Sequence, residues 1–582
     1  MDRTVAGGGG GANGSLAGGA AGVTTSGSAG SGSGAAGGTS GGNGGSTTYS
    51  GTNISRGGYG FSQGLAVVFN AGAQTGTVTI GGAVNASNVQ TASTAFQIKI
   101  GQTVASATSG WGNAVTLNNT GGFVVGTSSN PHTLSITGSL STPATGTVSL
   151  NGAVTTTTTQ TYGAAVVLTG DTTYTTTNSN VVFSSTVDGS TANTQSLTVA
   201  AGIGNTTFTG AVGGTTSLKN ISVTTGALTA AAIQADTLVT VTNSAASAIS
   251  GIISGNAALT KAGTNTLTLS GANTYAGATT ISAGTLKLGA AGVIPDGSAV
   301  TVTGTLDLNG NAETVGSIAG AGTITSGVAG TKTLTAGGDN TSTTFSGTLQ
   351  NGTGTAISLT KEGSGDLTLS GTLTYTGATT INGGSIIIQS NAPSFSTSGF
   401  SGTGALIIQP TSASFTSAYT FSKAISALSS LTIGKSGNTT DVSITAAQSI
   451  AGPIAIYGGK ISVSANMTDN QNSANAGIQL LASSHIFFDT SSAGVTLTTS
   501  TASPILLASG ITAPENFGAG LLTKGDEISL GLSLRPIAKK PTSTRNKISG
   551  TQCLMEIFIL LVHYAFFDLY RLSRRAISPP SA

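Results

Sequence analysis

The chain has 582 residues, of which 7% are charged, while glycine alone fills 89 positions. So little Lys, Glu and Arg excludes an ordinary helical domain, and the near-balanced net charge of +2 gives no footing to nucleic acid as a partner. A single cysteine, Cys553, excludes an intramolecular disulfide framework.

Hydrophobic residues reach 38% and mean hydropathy is +0.24, so there is apolar surface to bury and disorder throughout is not expected. Charge is uneven. Ahead of Lys524 stand 11 basic and 14 acidic residues; from Lys524 onward stand 9 basic and 4 acidic ones. The body is close to neutral and the tail is basic.

Residues 1–50 form a Gly/Ser/Ala low-complexity segment with little side chain to bury, expected to be disordered. Met1-Asp2-Arg3 leads straight into it, so no basic region followed by an apolar run reads as a signal peptide. Gly32-Ser33-Gly34-Ala35-Ala36-Gly37 spells a nucleotide-loop pattern but follows no strand, and is read as a product of composition.

From Gly51 the pattern becomes short alternating runs between Gly, Asn and Thr. Leu65–Phe69, Thr77–Ile80, Phe96–Ile100 and Thr147–Leu150 each have the length of a strand. Farther on, 181–183, 197–199, 207–209 and 221–223 are predicted strands, with Val187-Asp188-Gly189 and Gly213-Gly214 as turns. Residues 160–226 resemble the strand repeats of filamentous haemagglutinin-like adhesins. The region 51–250 is assigned to these repeats.

Residues 259–288 then return as 359–388, identical at 17 of 30 positions. The shared features include Leu259-Thr260-Lys261, Leu267-Thr268-Leu269-Ser270-Gly271, Tyr275 and Ala278–Ile281, each 100 residues from its copy. Short alternating strands with glycine turns, repeated over hundreds of residues, favour a stacked all-β architecture over a single sandwich. Leu267/Leu269, Leu286/Leu288, Val300/Val302 and Leu306/Leu308 keep a two-residue period and are predicted to point inward, with Thr266, Thr268, Thr301 and Asp307 outward. One coil cannot fold alone, so neighbouring coils must support each other. The turns are expected at Asp296-Gly297, Asn309-Gly310 and Asn382-Gly383.

Leu259–Gly263, Leu267–Ile281, Gly284–Gly289, Thr301–Ile324 and Leu359–Gly363 come in the order of the autotransporter-associated β-strand repeat, which the region 251–389 resembles. The resemblance implies a right-handed parallel β-helix in a secreted or surface-held passenger of a Gram-negative bacterium. The second region is drawn as 251–523.

Chemistry is sparse. His132, His485 and His563 sit in unrelated segments, His132 in what reads as a surface loop after Pro131. Asp188, Asp296, Asp307, Asp339 and Asp366 form no calcium-binding array and are expected in turns or facing outward. Asp489 and Glu515 make a carboxylate pair only if the fold joins them. Lys524-Gly525-Asp526 only faintly resembles an integrin-type tripeptide. Lys261 and Lys361 are expected to be solvated or edge-protecting, and Tyr275 and Tyr375 to pack. No catalytic, cofactor or metal residue is assigned.

The tail, 524–582, carries the apolar run 553–570, interrupted by Glu556, His563 and Asp568. Its foreign composition reads as out-of-frame translation; a membrane-attached helix and a docking helix are the alternatives. No amphipathic strands of an outer-membrane barrel follow. The expected function is a non-enzymatic, adhesin-like passenger on the cell surface, at the outer membrane or secreted. Its partners would be a host-cell or bacterial surface ligand, glycans included, and an outer-membrane translocator. The alternatives are a β-helical polysaccharide-degrading enzyme and a non-functional fragment of a larger autotransporter gene.

Overall fold

Runs that place a β-branched or aliphatic residue at every second position can bury one strand face completely. In a computed structural model the chain uses them in this way. The structure describes residues 97–509 apart from 103–106, 354–355, 472–476, 489–494, 500 and 501–504. It also describes the strands Gly14–Ala17, Thr47–Tyr49, Asn53–Ile54, Ala66–Asn70, Thr77–Ile80, Ala83–Val84, Asn88–Thr91 and Ser529–Leu530. Among the described residues there are strands and no helix, and the strands pair in parallel as a β-solenoid of about 18 turns. Gly14–Ala17 and Thr47–Tyr49 pair with later strands; the rest of residues 1–50 lies outside the described residues.

Each coil has three sides. Side one holds the strands Leu197–Ala200, Leu218–Thr225, Ala258–Ala262, Thr279–Ile281, Ala299–Val302 and Ser317–Ala319. The bridge from Gly320 to Phe345 carries this side on into Thr343–Phe345 and Leu367–Leu369. Side two is a 13-stranded sheet running from Val115–Thr116 to Thr372–Leu373. Side three passes Val187–Gly189, Ile233 and Ile253, crosses loops at Asn273 and Val293, and becomes a sheet from Glu313–Val315 onward. Leu306 pairs with Ile324 and Ile324 with Leu349, so these two successive turns take 18 and 25 residues.

The interior is a stack of side chains in layers. Leu267, Leu269, Leu286, Leu288, Val300, Val302, Leu306 and Leu308 are all buried, as their period requires. Tyr162, Phe183 and Phe208 stack face to face with centroids 5.0 Å apart, and Tyr174 packs edge-on against the first two. Such contacts add to burial because the rings repeat in register from coil to coil.

Two turn expectations are corrected. Val187–Gly189 is a strand paired with Val166–Leu168, and the chain bends farther on, where Asn193 takes a left-handed φ of 60°. At Asn382-Gly383 the left-handed residue is Gly384, one position later. Asn309 and Gly310, with φ of 47° and 76°, do form the expected turn.

Candidate functional site in the strand repeat

The repeat hides a cation. In Ala258–Ala262 the side chains alternate, so Lys261 shares the inward parity of Leu259, and it is completely buried. Its Nζ donates to the carbonyls of Ala262 (2.6 Å), Gly263 (3.0 Å) and Ala283 (3.1 Å). Three ammonium protons meet three oxygens, the last from the following coil. Gly263, at φ +79°, supplies the left-handed corner between this strand and the next. Lys361 repeats the arrangement with the carbonyls of Glu362, Gly363 and Gly383, and Gly363 has φ +69°. The expectation of a solvated or edge-protecting lysine is therefore wrong for both. Each is a corner clamp, because inward parity leaves the amine nowhere to go except to turn carbonyls. Burial lowers the Lys261 ammonium to about 8. Burial also lowers Lys361, opposed by Asp366, Asp339 and Glu362.

A second polar device follows. Tyr275 is buried, and its hydroxyl meets Thr279 Oγ1 at 2.7 Å. Thr279 Oγ1 lies 2.9 Å from Ser298 Oγ, which donates to the Gly277 carbonyl at 3.0 Å. Tyr375, Thr379, Thr397 and the Gly377 carbonyl reproduce the relay at 2.7, 3.1 and 2.7 Å. Ser298 and Thr397 lie beyond the echoed segments, so the next coil completes the relay. Burial pushes the Tyr375 phenol up to about 12.

Near the first copy, Glu313 is buried and accepts from the amides of Ile294 (2.9 Å) and Val293 (3.3 Å). Burial raises its carboxyl to about 7 against those hydrogen bonds. It stands where side three changes from loop to sheet.

The two copies occupy different sides. Leu259–Lys261 lies on side one, between Val239–Val241 and Thr279–Ile281. Leu359–Lys361 lies on side three, between Leu334–Ala336 and Thr379–Ile381. Leu267–Leu269 is on side two, whereas Leu367–Leu369 is on side one. Lengthened turns around residues 324–373 cause this. One hundred residues complete four turns and two sides, one side short of five turns.

The remaining candidates are scattered. His132 is buried in the strand His132–Ile136, with Nε2 2.8 Å from Ser109 Oγ, so the surface-loop reading is corrected. It shares the parity of Leu134 and Ile136, and desolvation lowers its imidazole to about 4. His485 is exposed. Asp188 accepts from the amides of Thr215 and Thr216, and Asp307 from those of Asn309 and Gly327, each tying one coil to another. Asp339 accepts from Thr341, Asp296 lies exposed in a loop, and Asp366 lies beside Leu367 in the second copy. Among the described residues no three His, Cys, Asp or Glu side chains could hold a metal ion. Among them, too, no helix is long and apolar enough to cross a membrane. Residues 32–37, Asp489, Glu515, Lys524-Gly525-Asp526, Cys553, residues 553–570 and His563 lie outside the described residues.

Both clamp-and-relay segments match one protein family. It is the Passenger-associated-transport-repeat, matched at residues 259–288 and 359–388. Over 140 residues the chain is also 35% identical to the Adhesin BmaC autotransporter of Brucella suis biovar 1 (strain 1330). That similarity covers 23% of this chain and 4% of the relative, so the chain spans a small part of that protein. No solved structure matches the chain.

Proposed function

We propose that the chain is passenger material of an autotransporter adhesin, held at the cell surface or outer membrane or secreted, and that it serves as a non-enzymatic stalk in cell adhesion. The observation that carries this reading is the pair of Passenger-associated-transport-repeat segments, each built around a buried lysine clamp inside a parallel β-solenoid. Such interior polar groups support coil geometry and offer no open cleft for turnover. The similarity to an adhesin over 140 residues supports the same reading. Resemblance of residues 160–226 to haemagglutinin-like strand repeats belongs to it as well. The partners would be a ligand on a host or bacterial surface and an outer-membrane translocator.

The test is gain of adhesion. Cells displaying residues 97–509 on an unrelated surface anchor should bind host or bacterial cells more than cells displaying the anchor alone. Equal binding, with the solenoid confirmed on the surface, would overturn the adhesive role.

A further inference from the structure

Four Asn-Gly pairs stand among the described residues: Asn151-Gly152, Asn309-Gly310, Asn351-Gly352 and Asn382-Gly383. In such a pair the glycine amide nitrogen can attack the asparagine side-chain carbonyl, because no glycine side chain blocks the approach. The fold restrains three of the four. Asn151 is buried in the strand Thr147–Thr156, and its Nδ2 donates to the Thr127 carbonyl. Asn309 Nδ2 donates to the Leu288 carbonyl at 2.8 Å, and the Gly310 amide is engaged by Ser326 Oγ at 2.9 Å. Asn351 Oδ1 accepts from the amides of Ile357 (3.0 Å) and Thr376 (3.1 Å), while its Nδ2 donates to Thr376 Oγ1 (2.7 Å). Asn382 is different. It is exposed, and among the described residues its side chain makes one hydrogen bond, from Nδ2 to Glu362 Oε1 at 2.7 Å. The Gly383 amide donates to no described group, so the attacking nitrogen is not tied up.

We propose that Asn382-Gly383 is a site of spontaneous covalent modification that ages the second lysine clamp and spares the first. The Gly383 nitrogen forms a bond to Asn382 Cγ, the Cγ–Nδ2 bond breaks, and Nδ2 leaves as ammonia with the Gly383 amide proton. Water then opens the cyclic imide. Opening at Cγ leaves aspartate at position 382; opening at the main-chain carbonyl leaves isoaspartate, which adds a methylene to the backbone just ahead of Gly383. Both products put a carboxylate where the amide donated to Glu362, so a hydrogen bond becomes a like-charge contact. The Gly383 carbonyl is the oxygen that the following coil gives to Lys361, so the isoaspartate product moves an acceptor of the clamp. In the first copy Ser282 and Ala283 stand in these places, and the Ala283 carbonyl serves Lys261 with no reactive amide beside it. The proposal is independent of the adhesin reading.

Peptide mass spectrometry of the full chain, held folded in neutral buffer at body temperature, tests it. Conversion at Asn382 should run roughly tenfold or more faster than at Asn151, Asn309 and Asn351. In the chain unfolded by denaturant the four pairs should convert at comparable rates, because their restraints are gone. Isoaspartate at position 382 would be read by enzymatic methylation with an isoaspartyl methyltransferase. The variant Asn382→Ser carries the residue of the first copy and removes the reactive amide without touching the core. After the same incubation, hydrogen exchange at residues 359–383 should be faster in the parent and unchanged in Asn382→Ser, with residues 259–283 unchanged in both. An Asn382 that stays an amide, or that converts no faster than the other three in the folded chain, would overturn the proposal. The same ranking in the folded and unfolded chains would also overturn it, since the fold would then play no part. Conversion at Asn382 with no change in exchange would overturn the link to the clamp.

Discussion

Lys261 and Lys361 hold equivalent corners of the two repeat copies, yet they stand on adjacent sides of the solenoid. The clamp therefore belongs to the repeat and not to a face. Outward residues of the two copies point in different directions, so the repeat cannot act as one continuous binding strip. Its shared residues build coils.

Replacing Lys261 by Met keeps bulk and removes the ammonium. Three corner carbonyls then lose their partner, at a cost of about 1–3 kcal/mol. Stability in stacked coils is local, so hydrogen exchange should accelerate at residues 259–283 and stay unchanged near Lys361. Unchanged exchange at both places would mean that the clamp does not hold the corner.

The phenols give a paired test. Tyr275→Phe breaks the relay to Thr279 and should destabilise its coils by about 1 kcal/mol. Tyr174 is equally buried but its hydroxyl has no hydrogen-bond partner among the described residues, so Tyr174→Phe should be neutral or stabilising. Denaturant midpoints of the two variants check the order; the reverse order would contradict the relay.

Two buried groups give opposing pH dependences. The Glu313 carboxyl rises from 4.5 to about 7 on folding, so its contribution is full below pH 4.5 and is lost as pH rises through 7. The His132 imidazole falls from 6.5 to about 4, so its contribution is full above pH 6.5 and is lost as pH falls through 4. Glu313→Gln should therefore remove the loss of stability between pH 4.5 and 7 and leave the acid-side loss in place. Thermal midpoints across pH 4–8 that are identical in parent and variant would contradict the burial of Glu313.

Coil corners leave no room at certain glycines. A Cβ built on Gly347 would overlap the Gly322 carbonyl, and one on Gly371 would overlap that of Gly347. Gly347→Ala must push neighbouring coils apart and should cost about 1–3 kcal/mol. At Gly292, where the space is open but φ is +62°, alanine meets only backbone strain. Protease cleavage near residues 320–350 that is no faster in Gly347→Ala would contradict the tight corner.

The scaffold was legible where alternation was unbroken. Leu267, Leu269, Leu286 and Leu288 announce an inward face by their spacing, and all four are buried. The same rule, applied without regard to polarity, would have placed Lys261 beside Leu259 and His132 beside Leu134. The charge of Lys261 and the proline before His132 mask that parity in the sequence. Parity was the better guide because a lysine at a corner can satisfy its ammonium on carbonyls. The change of side between copies was not legible, since it depends on turn lengths that differ from coil to coil, 18 residues from Leu306 to Ile324 and 25 from Ile324 to Leu349, with no fixed sequence mark.

Disulfide trapping tests the central relationship most directly, in a Cys553→Ser background that removes the native thiol. Thr335 and Thr360 are register partners on side three, at a separation that suits a disulfide. The pair Thr335→Cys/Thr360→Cys should therefore cross-link on mild oxidation, while Thr344→Cys/Thr360→Cys should not. If the second repeat lay on the same side as the first, Thr360 would stack on Thr344. Cross-linking of that pair, with none between 335 and 360, would contradict the solenoid register and the placement of both clamps.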